Sequence, residues 1–144
     1  MYLLDTNVVS ELRKIRSGKA DANVARWADS VQAIELFISV ITLQELEIGV
    51  LLAELRDPPQ GKVFRSWLGS HVLPAFVGRV LSVDAAVSLR SAQLHVPDAK
   101  PFRDGLIAAT ALVHGMTVVT RNTQDFELTG VKLINPWIAS RSSQ

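Results

Sequence analysis

Four acidic residues stand where strands are expected to end or helices to begin. Asp5 directly follows the apolar run Tyr2–Leu4, and Glu45 falls in the first turn of the helix expected after the second strand. Asp104 opens a helix before the fourth strand, and Asp125 follows that strand. In a parallel sheet, ligands bind outside the carboxyl ends of the strands. We therefore expect these four carboxylates to converge on one crevice and to carry its chemistry.

Each of these acids, taken alone, also has a structural explanation. Asp5 could cap the first helix, and Asp104 suits the positive end of its own helix. Thr42 and Glu45 have the spacing of a capping box, in which the Glu45 carboxylate returns to the Thr42 backbone N–H. Asp125 could close an Asx turn. The position of a single acid does not decide between such a role and a role in a site.

Taken together, the four acids favour a metal site. Asp5 should lie at the buried rim of a central strand, where an unpaired carboxylate is costly. No nearby part of the sequence supplies an obvious basic partner inside that edge of the sheet, so we expect a cation to compensate Asp5. Mg²⁺ and Mn²⁺ bind carboxylates from distant segments and keep part of their water. Three or four acids meet that demand.

The elements that must position these acids alternate between strands and helices. Short apolar runs of strand length lie at Tyr2–Leu4, Leu36–Val40, Val80–Val83, Met116–Val119 and Lys132–Ile134. Segments with helical periodicity lie at Val8–Lys14, Asn23–Val31, Leu43–Leu55, Gly61–Leu73, Ala85–Leu94 and Phe102–His114. Helix N-caps are expected at Asp21, Thr42 and Asp84. This alternation predicts an α/β fold, with a mostly parallel twisted sheet and helices on both faces.

The composition is that of one globular domain and excludes several kinds of site. The chain has 144 residues, of which 48% are apolar and 20% charged, and this size predicts a single core. The absence of cysteine excludes disulfides, thiolate zinc sites and cysteine nucleophiles. His71, His95 and His114 have no metal-binding spacing. The net charge of +1 gives no overall cationic field, so any nucleic acid must be bound locally.

The sequence predicts neither a membrane segment nor a secretory leader. The longest stretch without Lys, Arg, Asp or Glu covers residues 105–120, which is shorter than the roughly 18 residues that a spanning helix needs. The first residues, Met1–Asp5, lack the basic start of a signal peptide. We therefore expect a cytoplasmic protein with no membrane partner, and the absence of cysteine suits that reducing compartment.

Four segments of the chain resemble the signature blocks of PIN-domain nucleases, most closely those of the VapC/FitB type of toxin. The segments are LDTNVVSELR at 4–13, SVITLQEL at 39–46, RDGLIAATA at 103–111 and VTRNTQDF at 119–126. They occur in the order and at the spacing of that family, and the match runs from residue 1 to about Trp137. One block alone would be weak support, whereas four in register are specific.

The resemblance implies a fold, an activity and partners. The fold would be a single PIN-like domain over residues 1–138, with a five-stranded parallel sheet in the order 3-2-1-4-5, followed by a polar tail at 139–144. The activity would be that of an endoribonuclease that depends on Mg²⁺ or Mn²⁺, as the toxin of a type II toxin–antitoxin system. The partners would be the RNA substrate, a second copy of the chain in a homodimer, and a small DNA-binding antitoxin that could assemble a larger complex.

The resemblance also implies roles for individual residues. The metal-binding and catalytic positions match Asp5, Glu45, Asp104 and, as the more variable fourth acid, Asp125. Polar positions lining the same pocket match Asn7, Thr120 and Asn122. Substrate contacts are expected from Arg13, Lys14, Arg103 and Arg121. A metal ion held by these acids would lower the pKa of bound water and offset the charge that develops on the phosphate. Gly105 stands where the family usually has alanine, which should weaken that helix start by up to about 1 kcal/mol.

Other functions remain as alternatives at this point. A phosphohydrolase with Asp5 as nucleophile would need a second Asp two residues on, where the chain has Asn7. A receiver-like signalling module would need a lysine after the last strand, whereas Lys132 begins that strand. A PIN domain that is catalytically idle, or that acts on DNA, would serve mainly as the binding partner of a DNA-binding regulator. Metal-dependent cleavage of single-stranded RNA separates the nuclease toxin from each of these.

Overall fold

The computed structural model describes residues 1–139, and in this part of the chain five strands form one sheet. The strand order is β3-β2-β1-β4-β5, and every neighbouring pair is parallel. The strands are β1 (Tyr2–Leu4), β2 (Leu36–Ser39), β3 (Val80–Leu81), β4 (Thr117–Val119) and β5 (Leu133–Ile134). This topology confirms the predicted sheet and its order, and it places β1 in the centre.

Seven α-helices connect these strands within residues 1–139. They are α1 (Thr6–Leu12), α2 (Ala22–Asp29), α3 (Val40–Arg56), α4 (Pro58–Trp67), α5 (Leu73–Ala75), α6 (Ala85–Leu94) and α7 (Phe102–His114). The last two have the predicted bounds. The single helix predicted at Gly61–Leu73 is instead α4, which continues through a π-helical turn at Leu68–Val72 into the short α5.

The start of α3 differs from the prediction. Ser39, and not Thr42, is the N-cap, and its hydroxyl accepts the backbone N–H of Ile41 at 3.0 Å. Serine caps helices at least as well as threonine, so α3 begins at Val40 as soon as β2 ends. Thr42 is instead buried inside the first turn, and Glu45 lies in the second turn. The capping-box explanation of Glu45 is therefore wrong.

The core lies on both faces of the sheet. Along β1, Leu3 packs in a cluster with α7, and its neighbour Leu4 packs in a second cluster with α1 and α3. In β4, Val118 belongs to the cluster of Leu3 and Val119 belongs to the cluster of Leu4. Successive side chains of a strand point to opposite faces, so both faces of the central strands are covered by helices. Asp5 is the first polar residue after this buried pair, and the fold fixes its position from both sides.

The remaining predictions on organisation have mixed outcomes. No helix within residues 1–139 is both long enough and apolar enough to cross a membrane. The predicted polar tail at 139–144 lies outside the described residues except for Ala139. The predicted domain boundary at residue 138 therefore stays a prediction.

Candidate active site

Asp5 lies at the junction of β1 and α1 and is fully buried. Its backbone N–H donates to the Val119 carbonyl at 2.9 Å, which ties it to β4. Its side chain caps α1 by accepting the Thr6 N–H at 2.7 Å on Oδ1, and Oδ2 accepts the Thr120 hydroxyl at 2.7 Å. The capping role considered for Asp5 is thus correct, and it leaves the carboxylate at the carboxyl end of the two central strands.

Glu45 reaches the same point from the second turn of α3. Its Oε1 accepts a hydrogen bond from the Thr6 hydroxyl, and that hydroxyl also lies 3.4 Å from the hydroxyl of the buried Thr42. Burial opposes ionisation, but hydrogen bonds from Arg103 and Thr6 outweigh it and hold the pKa of Glu45 below its ordinary value. Thr6 is not among the predicted site residues, and its only signal in the sequence is its place directly after Asp5.

Arg103 joins three of the predicted acids through three different nitrogens. Its Nε donates to Glu45 Oε2 at 2.6 Å, Nη1 donates to Asp104 Oδ1 at 2.9 Å, and Nη2 donates to Asp5 Oδ1. Burial opposes the charged form, but the carboxylates of Glu45 and Asp5 prevail and raise the pKa of Arg103. The sequence near Asp5 supplies no basic partner, as expected, but the distant Arg103 reaches across the crevice and provides one.

Asp104 and Asp125 complete the acidic set. Asp104 lies in the first turn of α7 and is nearly buried. The pKa of Asp104 is raised above its ordinary value, mainly because the side chain is buried. Arg103 opposes this shift, and the negative charges of Asp125 and Asp5 add to it. Asp125 ends a short 3₁₀ turn after β4 and is exposed. Asp125 thus adds negative charge near Asp104 from the solvent side of the crevice.

The three predicted polar residues form a chain beside Asp5. The Thr120 hydroxyl, which donates to Asp5, accepts the Asn122 backbone N–H at 3.0 Å and lies 3.5 Å from Asn7 Nδ2. Asn7 Oδ1 in turn accepts the Arg121 backbone N–H at 3.3 Å. The Asn122 side chain is exposed, so this residue joins the chain through its backbone. The loop after β4 is thereby fixed against the start of α1.

The four basic residues predicted to contact substrate lie in different places. Arg103 is inside the acidic set, as described. The Arg13 guanidinium lies 4.7 Å from the Phe64 ring centre, and Lys14 pairs with Glu11 at 3.2 Å. Arg121 is exposed, with its guanidinium 5.2 Å from the Trp137 ring centre. Arg121 adjoins the crevice through its backbone, whereas Arg13 and Lys14 line a separate groove.

That groove runs beside α1 and has a volume of about 1090 Å³. Apolar residues from α1, α4 and the segment after α4 form part of its wall, including Val9, Leu12, Trp67, Val72 and Phe76. The charged side chains that line it are all basic, and they are Arg13, Lys14, Arg16, Lys19, Lys62 and Arg79. The described part of the groove therefore combines an apolar wall with an excess of positive charge, of which only Lys14 is paired with an acid, Glu11.

The acidic set has the donor chemistry of a divalent cation site. Carboxylates from three separate segments surround one positive group, and hard cations such as Mg²⁺ and Mn²⁺ prefer such oxygen donors. As the side chains stand, no three acidic or histidine side chains in residues 1–139 are grouped to hold one ion. Each carboxylate faces a different nitrogen of Arg103 instead. The residues thus fit a divalent ion in type and charge, while a guanidinium lies between them.

Comparison with known proteins agrees with the fold. The sequence pattern of the PIN domain matches residues 2–132. The chain belongs to the PIN domain family. The resemblance inferred from the four segments is thereby confirmed for the family.

Relatives of this PIN domain include proteins named as a ribonuclease and as a toxin. It is 41% identical over 143 residues to VapC ribonuclease Y4jK of Sinorhizobium fredii, covering 95% of this chain and 98% of the relative. It is 37% identical to Toxin FitB of Neisseria gonorrhoeae, covering 95% of this chain and 99% of the relative. The solved structure of FitAB bound to an IR36 DNA fragment matches with a TM-score of 0.88 and 35% identity, over 99% of each chain.

Proposed function

We propose that this PIN domain is an endoribonuclease that depends on Mg²⁺ or Mn²⁺ and is the toxin of a type II toxin–antitoxin pair. The observation that carries the proposal is the meeting of Asp5, Glu45 and Asp104 around one cationic group at the carboxyl end of the central strands. The ribonuclease name of a relative that covers nearly the whole chain supports the choice of RNA.

In this proposal Asp5, Glu45 and Asp104 hold the metal, and Asp125 contributes as the fourth acid, directly or through water. When bound, the ion would lower the pKa of its bound water, and its positive charge would offset the negative charge that develops on the phosphate. Thr120 and Thr6 orient the carboxylates of Asp5 and Glu45, because each threonine hydroxyl donates to one of their oxygens. The Thr6 hydroxyl, together with Arg103, also holds the pKa of Glu45 below its ordinary value against the effect of burial.

The remaining residues of the crevice bind and position the substrate. Asn7, Thr120 and Asn122 line the pocket and hold the loop after β4 in place. Arg121 extends from that loop over Trp137, where its guanidinium is exposed and able to bind a phosphate. Arg13 and Lys14 supply positive charge beside α1, and Arg103 does so at the acids themselves. The net charge of only +1 makes such local contacts necessary.

The direct test is cleavage of labelled single-stranded RNA by the purified chain with Mg²⁺ or Mn²⁺, with and without chelator. We expect endonucleolytic fragments with either ion and none with the chelator. Single-stranded DNA of the same sequence is the control substrate, and it should stay intact. Cleavage of DNA alone would support a DNA-directed PIN domain. No cleavage of either nucleic acid would support a catalytically idle domain that acts as a binding partner of a DNA-binding regulator.

The positively charged groove beside α1 is the surface that we assign to the antitoxin. A tail that carries apolar and acidic side chains would match both the wall and the charge of this groove, and burial of its apolar residues would offset the cost of ordering it. Val63 lines the groove and is 56% exposed, so Val63→Glu should fold normally. Leu89→Glu, at a 71% exposed position of α6, is the matched control.

This assignment is tested by sequencing the gene directly upstream and, where it encodes a small protein, co-expressing that protein with the variants. We expect Val63→Glu to lose the partner in affinity purification and Leu89→Glu to retain it. Equal retention by both variants would place the antitoxin elsewhere on the domain.

We assign the homodimer contact to an aliphatic strip on α3. Four exposed residues recur there at helical spacing, which places them on one face; they are Ile48, Leu51, Leu52 and Leu55. Leu51→Arg should convert a dimer into a monomer in light scattering, and a dimer of unchanged mass would rule out this face. The cytoplasm is the compartment that an RNA-directed toxin requires.

A further inference from the structure

We propose that Arg103 is an exchangeable counter-ion of the acidic set, which a divalent cation must displace in order to bind. The inference rests on the proposed function, because it concerns the same acids. It adds that the chain itself competes with the metal ion, so that the metal-free protein is held in a partly neutralised and inactive arrangement.

The geometry of the guanidinium supports this role. Three separate nitrogens of Arg103 contact three carboxylates that come from the β1–α1 junction, α3 and α7. A guanidinium presents a fixed planar fork of donors, so it satisfies all three at once without any other cation. Three carboxylates and one guanidinium still leave two negative charges, and the charge of Asp125 lies nearby. The set therefore favours a cation of higher charge than Arg103 carries.

The position of Arg103 on α7 shows what holds it. Arg103 is the second residue of that helix, after the N-cap Pro101, which makes no side-chain capping hydrogen bond. A positive side chain at a helix N-terminus is unfavourable for the helix dipole. The carboxylates, and not the helix, therefore fix the conformation of this side chain. Losing them would release Arg103 rather than unfold α7.

The surroundings of the acids allow such a release. The Arg103 side chain is 31% exposed, whereas the Asp5 side chain is fully buried. Arg103 can therefore swing toward solvent while Asp5 stays in place, still bound by Thr120 at 2.7 Å and by the Thr6 backbone N–H at 2.7 Å. Glu45 likewise keeps the Thr6 hydroxyl as a donor. A metal ion would thus meet carboxylates that are already oriented.

Exchange follows from the repulsion between like charges. A guanidinium and a divalent ion cannot share the same carboxylate oxygens at close range, because both are positive in a partly buried site. An ion that takes the three oxygens now facing Arg103 therefore breaks its three contacts. The displaced guanidinium remains at the mouth of the crevice, where a substrate phosphate could accept its paired N–H groups.

A variant comparison tests the competition directly. Mn²⁺ binding would be measured by calorimetry for the wild type, for Arg103→Met and for Arg65→Met. Arg65 is the matched control, because it also bridges two carboxylates, Glu47 at 2.7 Å and Glu54 at 3.0 Å, away from the crevice. We expect Arg103→Met to bind Mn²⁺ about tenfold more tightly than the wild type, and Arg65→Met to bind it as the wild type does. Affinity that is equal or weaker in Arg103→Met overturns the proposal.

A second measurement uses the unaltered chain, in case Arg103→Met does not fold. In a ¹H–¹⁵N correlation spectrum, the Arg103 Nε–H signal reports the hydrogen bond from this group to Glu45. Mg²⁺ is the ion used here because it is diamagnetic. Mg²⁺ is added until the backbone amide signal of Asp104 stops changing, which marks saturation. The Arg103 Nε–H signal should then have moved toward that of the exposed Arg16. A signal that stays unchanged at saturation contradicts exchange while leaving the metal-dependent nuclease intact. Absence of Mn²⁺ and Mg²⁺ binding in every variant overturns both proposals.

Discussion

Gly105 lies directly against the imidazole of His95. A Cβ placed on Gly105 would be 2.9 Å from His95 Nε2 and 3.1 Å from the Ser91 hydroxyl. His95 is fixed in turn, because its Nδ1 accepts the Lys100 backbone N–H at 3.0 Å. The missing side chain at Gly105 therefore lets α6 pack closely on α7, next to Asp104. Where the sequence alone suggested only a weakened helix start, the structure shows a packing requirement.

Gly105→Ala should destabilise the protein in spite of alanine's higher helix propensity. The added methyl group meets His95 and Ser91 in a buried contact, and overpacking of this kind costs about 1–3 kcal/mol. Gly49→Ala is the control, since Gly49 lies inside α3, is exposed and would place its Cβ in open space. That change should stabilise the protein by about 0.5–1 kcal/mol. Urea unfolding of both variants provides the comparison.

A double variant identifies His95 as the cause. His95→Ala removes the atoms that the new methyl group would meet, so Gly105→Ala should cost less in that background than in the wild type. An equal cost in both backgrounds would mean that the imidazole does not limit this position.

Glu45→Gln should weaken Mn²⁺ binding by about tenfold or more, the scale of a lost charged ligand contact. Glutamine keeps an oxygen for Thr6, so the free energy of unfolding should change by about 1 kcal/mol or less. Glu47→Gln is the control on the same helix, because Glu47 pairs with Arg65 outside the crevice. Calorimetry that shows the same loss in both variants, or none in Glu45→Gln, would remove Glu45 from the site.

Glu11 should contribute stability that disappears in acid. Its pKa is lowered because the Asp21 backbone N–H donates to it at 2.7 Å; burial opposes this effect and Lys14 assists it. A lowered pKa means that the contribution is complete above the ordinary value of 4.5 and is lost as the pH falls through the lower folded value. Thermal melts should show Glu11→Gln less stable than the wild type near neutral pH, with the difference closing in acid. A difference that does not change with pH would contradict this role.

The sequence predicted the fold well where local signals and buried position agree. The bounds of β1, α6 and α7 follow from a short apolar run, from the Asp84 cap and from strong periodicity. The start of α3 was missed because Ser39 and Thr42 are both good caps, and only the end of β2 decides between them. The break after α4 was missed because the apolar periodicity continues across the π-helical turn.

The acids of the candidate site could be predicted from the sequence, whereas the place of Arg103 among them could not. Asp5 and Asp104 were found because strand ends and helix starts are visible in the sequence. The contact between Arg103 and Asp5 joins residues 98 positions apart, and its geometry depends on how α7 packs on the sheet. Thr6 was missed for the same reason, since its hydroxyl meets Glu45 only after α1 and α3 are placed.

The most direct test of the nuclease proposal compares two aspartates that both cap helices. Asp5 caps α1 and Asp84 caps α6, where its side chain accepts the Val87 N–H at 2.9 Å. Asparagine caps helices as well as aspartate does, so Asp5→Asn and Asp84→Asn should both fold normally by circular dichroism. RNA cleavage with Mn²⁺ would then be measured for both. We predict that Asp5→Asn loses activity by about 100-fold or more, while Asp84→Asn cleaves as the wild type does. Cleavage by folded Asp5→Asn at the wild-type rate would contradict the proposal that this crevice is the active site.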